Sequence, residues 1–180
     1  VIAPVRRGLQ ARPGLVSPQV DFEQLPDDPS CWQADAAICA LGTTMKKAGS
    51  RAAFRRADDG FVLEAARMAH RHGVRTFVLN SAMGADPGSR FFYSRVKGEL
   101  ERDLQQVGFD SLTLVRPGLI GGEREEFRLG EHVATLVLGA LGPVLPRKWR
   151  INPAGRIAAV MIEAAVAGKP GVASIESSAI

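Results

Sequence analysis

The order of apolar runs and helical stretches constrains this chain more than any single residue does. Short β-rich runs stand at "VIAPV" (1 to 5), "PQVDF" (18 to 22), "AAICALG" (36 to 42), "VRTFVLN" (74 to 80), "SLTLVRP" (111 to 117) and "VASIES" (172 to 177). Stretches with helical periodicity lie between the later ones, and such alternation is the order of a parallel sheet with helices on both faces. Most of the runs are apolar almost throughout, as strands covered on both faces should be. The expected fold class is therefore α/β, a doubly wound parallel sheet. A chain of 180 residues with 46% hydrophobic residues can build one substantial core, so a single domain is expected.

The helical stretches have readable ends. One is expected from Asp58 to His72, with Asp58 and Asp59 capping its start, Val62, Ala65, Ala66 and Ala69 forming its buried stripe, and Gly73 ending it. A second runs from about Phe92 to Val107 and closes on Gly108. Val96, Leu100, Leu104 and Val107 share one face of it, while Glu99, Glu101, Arg102 and Asp103 project elsewhere. A third begins at Asn152-Pro153, with asparagine as cap, and runs to about Ala167. The polar, glycine-punctuated stretch from Gly118 to Trp149 reads as a loop with one helix near His132 to Gly139, able to cover a site.

Composition removes several function classes. The net charge of +4 is modest, and the basic residues come as scattered pairs without interleaved aromatics, so no nucleic-acid footprint is expected. No apolar run is long enough to span a bilayer and no signal peptide opens the chain, which argues against a membrane. Cys31 and Cys39 lack metal-ligand spacing and read as reduced core thiols of a cytoplasmic protein. His70, His72 and His132 do not cluster, so no metal site is expected.

"FFYSRVKGEL" (91 to 100) holds the only tyrosine of the chain, with a lysine four places on. Residues four apart lie on one helix face, so Tyr93 and Lys97 are within reach of each other. A fixed ammonium favours the phenolate and is expected to lower the tyrosine pKa from about 10 toward neutrality, where proton transfer is most effective. A half-buried tyrosine and a solvated lysine would share the same spacing. Context separates the two readings. Ser81 follows the "RTFVLN" run, at the carboxyl end of a strand, where open parallel sheets bind ligands, and a short loop leads from it to the Tyr93 helix. A serine hydroxyl there can hydrogen-bond a substrate carbonyl while Tyr93 gives it a proton.

Together with "ALGTT" (40 to 44), "GFVLEAARMA" (60 to 69), "NSAMGAD" (80 to 86), "FFYSRVKGELE" (91 to 101), "FDSLTLVRPGLIGGEREE" (109 to 126) and "GE" (130 to 131), this constellation resembles the short-chain dehydrogenase/reductase superfamily. The nearer likeness is to its atypical branch of Tat-interacting-protein-like oxidoreductases. The resemblance implies a Rossmann-like fold and a nicotinamide cofactor, with Tyr93 as general acid/base, Lys97 holding the nicotinamide ribose and Ser81 polarising the substrate. It also implies that Leu41, Gly42 and Thr43 pass beneath the cofactor, that Pro117 and Gly118 stand beside the nicotinamide, and that Asp21 and Phe22 lie near the adenine. Two departures stand out. Many relatives have two consecutive serines where this chain has Ser81-Ala82, and no GxxGxxG turn occurs in these residues. A first strand, glycine-rich turn and first helix are therefore expected to precede Val1.

The front end points to one form of the cofactor. In nucleotide-binding βαβ units an acid after the second strand binds the ribose hydroxyls of NAD, whereas arginine suits the extra phosphate of NADP. The strand here runs into "VRRG", where Arg6 and Arg7 offer planar donors, so NADP(H) is expected. The leading functional expectation is an NADPH-dependent oxidoreductase acting on a small carbonyl or alcohol. The alternatives are an NADPH-binding regulatory or scaffolding protein with a protein partner, and a sugar-nucleotide epimerase or dehydratase.

Overall fold

The computed structural model describes residues 1–118, 120–121 and 152–180. Four parallel strands form its main sheet: β1 (Ala36–Cys39), β2 (Thr76–Asn80), β3 (Ser111–Arg116) and, after two short strands, β6 (Gly171–Glu176), side by side in that order. Register runs Ala36 to Thr76, Thr76 to Ser111 and Ser111 to Gly171, so the carboxyl ends lie together at Cys39, Asn80, Arg116 and Glu176. The two short strands, β4 (Ile120–Gly121) and β5 (Asn152–Pro153), pair with each other. Helix α1 (Pro29–Trp32) precedes β1, and α2 (Met45–Ala48), α3 (Arg51–Arg55), a π turn (Arg56–Gly60) and α4 (Phe61–Arg71) lie between β1 and β2. Helix α5 (Phe92–Gln105) joins β2 to β3, and α6 (Ala154–Ala167) leads into β6.

Alternation along the strands sorts the core into layers. Phe77, Leu79, Leu112 and Leu114 face one way and pack under Val62 and Ala66 of α4 and Leu100 and Leu104 of α5. Val78 and Val115 face the other way, against Ile157, Val160 and Met161 of α6. Side chains of a strand alternate between faces, so this division is what a sheet with helices on both sides requires. The expected fold class is therefore what the chain forms. A satellite cluster of Val20, Cys31, Trp32, Met68, Ala69 and Val74 ties the front segment to α4.

Four expectations need correction. "VIAPV" and "PQVDF" do not enter the sheet: they make isolated bridges, Ile2 to Val16, Val5 to Gln19 and Asp21 to Gln24. Pro4 has no N–H to give a ladder, and of residues 1–22 only Val20 is buried. The helix expected from Asp58 begins instead at Arg51, where Ser50 caps it by accepting from the Ala53 N–H at 3.1 Å. Asp58 and Asp59 fall inside the π turn. Asn152 is not the cap of α6, a place taken by Pro153. Its buried side chain accepts from the Gly118 N–H and the Ser177 hydroxyl, each at 2.8 Å. Finally, Glu101 does not project outward and is 3% exposed. The helix expected near His132 to Gly139 lies outside the described residues.

Gly73 and Gly108 end their helices as expected, at φ of +92° and +95°. Gly98 has a different reason to be glycine: a Cβ there would stand 2.2 Å from the Asp86 carbonyl carbon. The loop leaving β2 crosses α5 on bare backbone at this point.

Candidate functional site

The loop after β1 passes over the π turn, and the two are joined by a buried carboxylate. Asp58, 1% exposed, accepts a hydrogen bond from the Thr43 N–H and pairs with the Lys97 ammonium at 2.9 Å. Lys97 is 4% exposed, so this ion pair is closed off from water on both sides. Gly42 belongs to the same junction: a Cβ on it would come 3.2 Å from Asp58 Oδ1. π turns inside helices are frequent at functional sites, and here the turn is what carries the carboxylate beneath the Gly42-Thr43 backbone.

Tyr93 lies one helical turn before Lys97 on α5. Its ring packs against Phe54 with centroids 5.8 Å apart, and the residue is 43% exposed. The expected lowering of its pKa does not occur. Partial burial pushes the phenol up, the Lys97 charge pulls it down, and the Asp58 charge pushes it up again, leaving it above the ordinary value. Burial is the larger influence, and the Lys97 charge that opposes it reaches the phenol as half of an ion pair.

Ser81 is at the carboxyl end of β2, as expected, with its N–H bonded to the Val115 carbonyl at 2.7 Å. Its hydroxyl, however, donates to Glu101 Oε1 at 2.5 Å. Glu101 also takes two hydrogen bonds from Arg116, at 3.0 and 2.6 Å, and Arg116 reaches Glu176 at 3.0 Å. These contacts raise the Arg116 pKa and lock the guanidinium between strand ends. Ser81 thus serves a buried polar network, and the neighbouring position, where many relatives have a second serine, is the buried Ala82. Tyr93, Lys97 and Glu101 recur every four residues on α5, a spacing from which Glu101's inward position could have been read.

Gly42 and Thr43 also line a cleft of about 920 Å³, together with Arg6, Arg7, Asp21, Phe22 and Leu41 among others. Arg6 and Arg7 are expected at the cofactor from their residue type, and Asp21, Phe22, Leu41, Gly42 and Thr43 from the family resemblance; the fold brings these three separate segments to one surface. Arg56 and Phe61 line it too. Arg56 pairs with Glu23 and lies over the Phe61 ring, 5.8 Å from its centroid, while Phe61 stands 6.1 Å from the Phe22 ring. Pro117 and Gly118 do not line this cleft. They lie past the end of β3, where the Gly118 N–H is bound to Asn152 and the Pro117 carbonyl accepts from the Met83 N–H at 2.9 Å.

No protein-family model matches the chain. Rat protein HTATIP2 is 40% identical over 131 residues, 72% of this chain and 52% of its own length. The protein named mitochondrial fmp52 of Emericella nidulans is 46% identical over 107 residues, 59% of this chain and 46% of its own. The chain therefore spans about half the length of these relatives. Further fungal relatives, such as FMP52 of Candida albicans, also carry "mitochondrial" in their names, which overturns the expectation of a cytoplasmic protein. Among solved structures, MoeE5 in complex with UDP-glucose and NAD superposes with a TM-score of 0.68 at 13% identity, over 94% of this chain and 64% of that one. The dTDP-4-dehydrorhamnose reductase of Bacillus anthracis in complex with NADP gives 0.60 at 11% identity, over 91% and 65%. At such identities the superpositions establish the fold alone, while the sequence relatives carry the kinship. The chain is a homologue of the HTATIP2 and FMP52 proteins, with the Rossmann-like fold of the atypical short-chain dehydrogenases/reductases.

Proposed function

We propose that this chain supplies the adenosine-facing wall and the proton donor of an NADPH-dependent oxidoreductase that reduces a small carbonyl compound. The observation that carries the reading is the cleft in which Arg6, Arg7, Asp21, Phe22, Leu41, Gly42 and Thr43 converge. Its volume suits a bound cofactor fragment, since ligand pockets run to about 300–1,000 Å³. Arg6 and Arg7 are exposed at its rim, where guanidinium groups can meet a ribose phosphate. A Cβ on Gly42 would come 3.2 Å from Asp58 Oδ1, so a side chain there would press on the carboxylate that holds this loop to Lys97. The pyrophosphate is assigned to none of these residues, because they contain no glycine-rich turn.

When bound, the nicotinamide would supply the hydride. Tyr93 does the rest of the chemistry assigned to this chain. Its O–H bond breaks as the substrate oxygen gains the proton, and the partly exposed phenolate recovers a proton from water. A phenol held above its ordinary pKa remains protonated at neutral pH, so it is suited to donate. A second reading is a dinucleotide-binding protein with little turnover. It is favoured by the engagement of Ser81 with Glu101 and by alanine at position 82.

Calorimetric titration of the protein with NADPH and NADH, repeated on the Arg6→Ala/Arg7→Ala double variant, tests the cofactor. Tighter binding of NADPH that disappears in the variant supports the proposal, and equal affinities in the unaltered protein refute the phosphate assignment. A screen of aldehydes, ketones and quinones then separates the two readings. In the enzyme, Tyr93→Phe loses about two to four decades of turnover with NADPH still bound. No turnover on any substrate with NADPH bound favours the second reading.

A further inference from the structure

We propose that Asp58 is a positioning residue: its buried carboxylate holds the Lys97 ammonium and the Thr43 amide together, so that Tyr93 meets Lys97 as half of an ion pair and not as a lone cation. This deepens the reading of Tyr93 as proton donor, and its consequence for turnover rests on that reading. The geometry does not. Asp58 is 1% exposed and Lys97 4%, and the ammonium meets Asp58 Oδ2 at 2.9 Å while Oδ1 takes the Thr43 N–H. One side chain thereby links the loop that lines the cleft to the helix that carries Tyr93.

Neutralisation is the physical point. A lone ammonium one turn from a phenol favours the phenolate. Paired with a carboxylate at contact distance, the same ammonium presents Tyr93 with a dipole, whose field falls off faster than that of a charge. Burial raises the phenol most, and among the described residues the charges that act on Tyr93 are those of Lys97, which lowers it, and Asp58, which raises it. Cys39 of β1 is the further titratable group that senses this pair, and its thiol, raised chiefly by burial, stays neutral. Glu101, next on the same stripe of α5, is taken up by Ser81 and Arg116. The ring packed against Tyr93 is that of Phe54, which does not ionise.

The consequence is one of pH profile. A protonated phenol gives its proton to a carbonyl oxygen, whereas alcohol oxidation starts from the phenolate and speeds up as pH rises. Removing the Asp58 charge should move the pH profile of the oxidation rate to lower pH.

Tyr93 is the only tyrosine of the chain, so tyrosinate absorbance near 295 nm reads it directly, with no cofactor or substrate present. The measurement is a rapid alkaline pH jump on the 180-residue protein, on Asp58→Asn, which keeps an oxygen acceptor for the Thr43 N–H, and on Lys97→Met. The unaltered protein should titrate above the ordinary value of 10.0. Asp58→Asn should titrate lower by roughly 1 unit, a tenfold larger phenolate fraction at a given pH, and Lys97→Met higher. Circular dichroism establishes which variants are folded, and either folded variant suffices. An unaltered protein that titrates clearly below 10, or a folded variant that titrates with it, overturns the proposal. If the titrations move as stated but no carbonyl is reduced, the Asp58 inference stands and the enzymatic reading fails.

Discussion

Alanine at position 98 should destabilise this protein even though it improves the helix. Its Cβ would stand 2.2 Å from the carbonyl carbon of Asp86, 2.3 Å from the Pro87 nitrogen and 2.5 Å from the Asp86 nitrogen. All three are main-chain atoms, so no rotamer change relieves the clash. The crossing must open by roughly 1 Å, an overpacking of the kind that costs about 1–3 kcal/mol or more. Against this, alanine in place of glycine in a helix interior gains about 1 kcal/mol. Because three main-chain atoms clash at once, the cost lies at the upper end of that range, and the net loss expected is about 2 kcal/mol, or roughly 4–8 °C in Tm for a chain of this size. The assay is thermal and urea unfolding of Gly98→Ala beside a control, Gly155→Ala, in the first turn of α6, where a Cβ meets nothing within 4 Å. The control should match or exceed the unaltered protein. A Gly98→Ala variant that melts at or above the unaltered protein would refute the claim that the loop rests on bare helix backbone.

Glu101→Gln should lower stability by about 3 kcal/mol in urea unfolding, because it strips the charge from a buried carboxylate that binds both Ser81 and Arg116. Lys97→Ala should be destabilising as well as weakening NADPH binding, since Asp58 is left buried without its cation, and restoring stability with Asp58→Asn/Lys97→Ala separates the two effects. Asp27 bonds His72 at 2.7 Å and Arg71 at 3.2 Å, and its carboxyl lies below the usual 3.8, chiefly through the His72 hydrogen bond. A lowered folded pKa means stabilisation present above 3.8 and lost as pH falls through the folded value. Asp27→Asn should therefore melt below the unaltered protein at pH 6, and the gap should close in strong acid.

Periodicity made the layers legible. Val62, Ala66 and Ala69 on α4 and Val96, Leu100 and Leu104 on α5 are buried where helical spacing placed them, because only one stripe of each helix can meet the sheet. The β-rich runs from "AAICALG" onward became strands for the same reason. The front segment misled because its apolar residues satisfy a strand pattern while Pro4 interrupts the ladder, and pattern carries no information on whether a neighbour is there to pair. In the site, the segments lining the cleft could be gathered from resemblance, but the partners of the charged residues could not. Asp58 and Asp59 look alike as a capping pair, and only the π turn decides that Asp58 is turned inward. Ser81 was placed at the right strand end, yet the direction of its hydroxyl depends on Glu101, twenty residues away on another element.

The π turn between α3 and α4 also has a meaning for how this chain tolerates change in length. A helix advances about 100° per residue, so the inserted residue lets Phe54 on one side and Val62 on the other both reach the core. A chain one residue shorter at Gly60 could close the segment as an uninterrupted α-helix with regular hydrogen bonds, but everything before the deletion would swing away from the sheet, and Asp58 with it. Local regularity and the placement of that carboxylate are thus alternatives at this position. Selection for the most stable helix would remove the extra residue, and selection for the junction of loop, lysine and tyrosine would keep it.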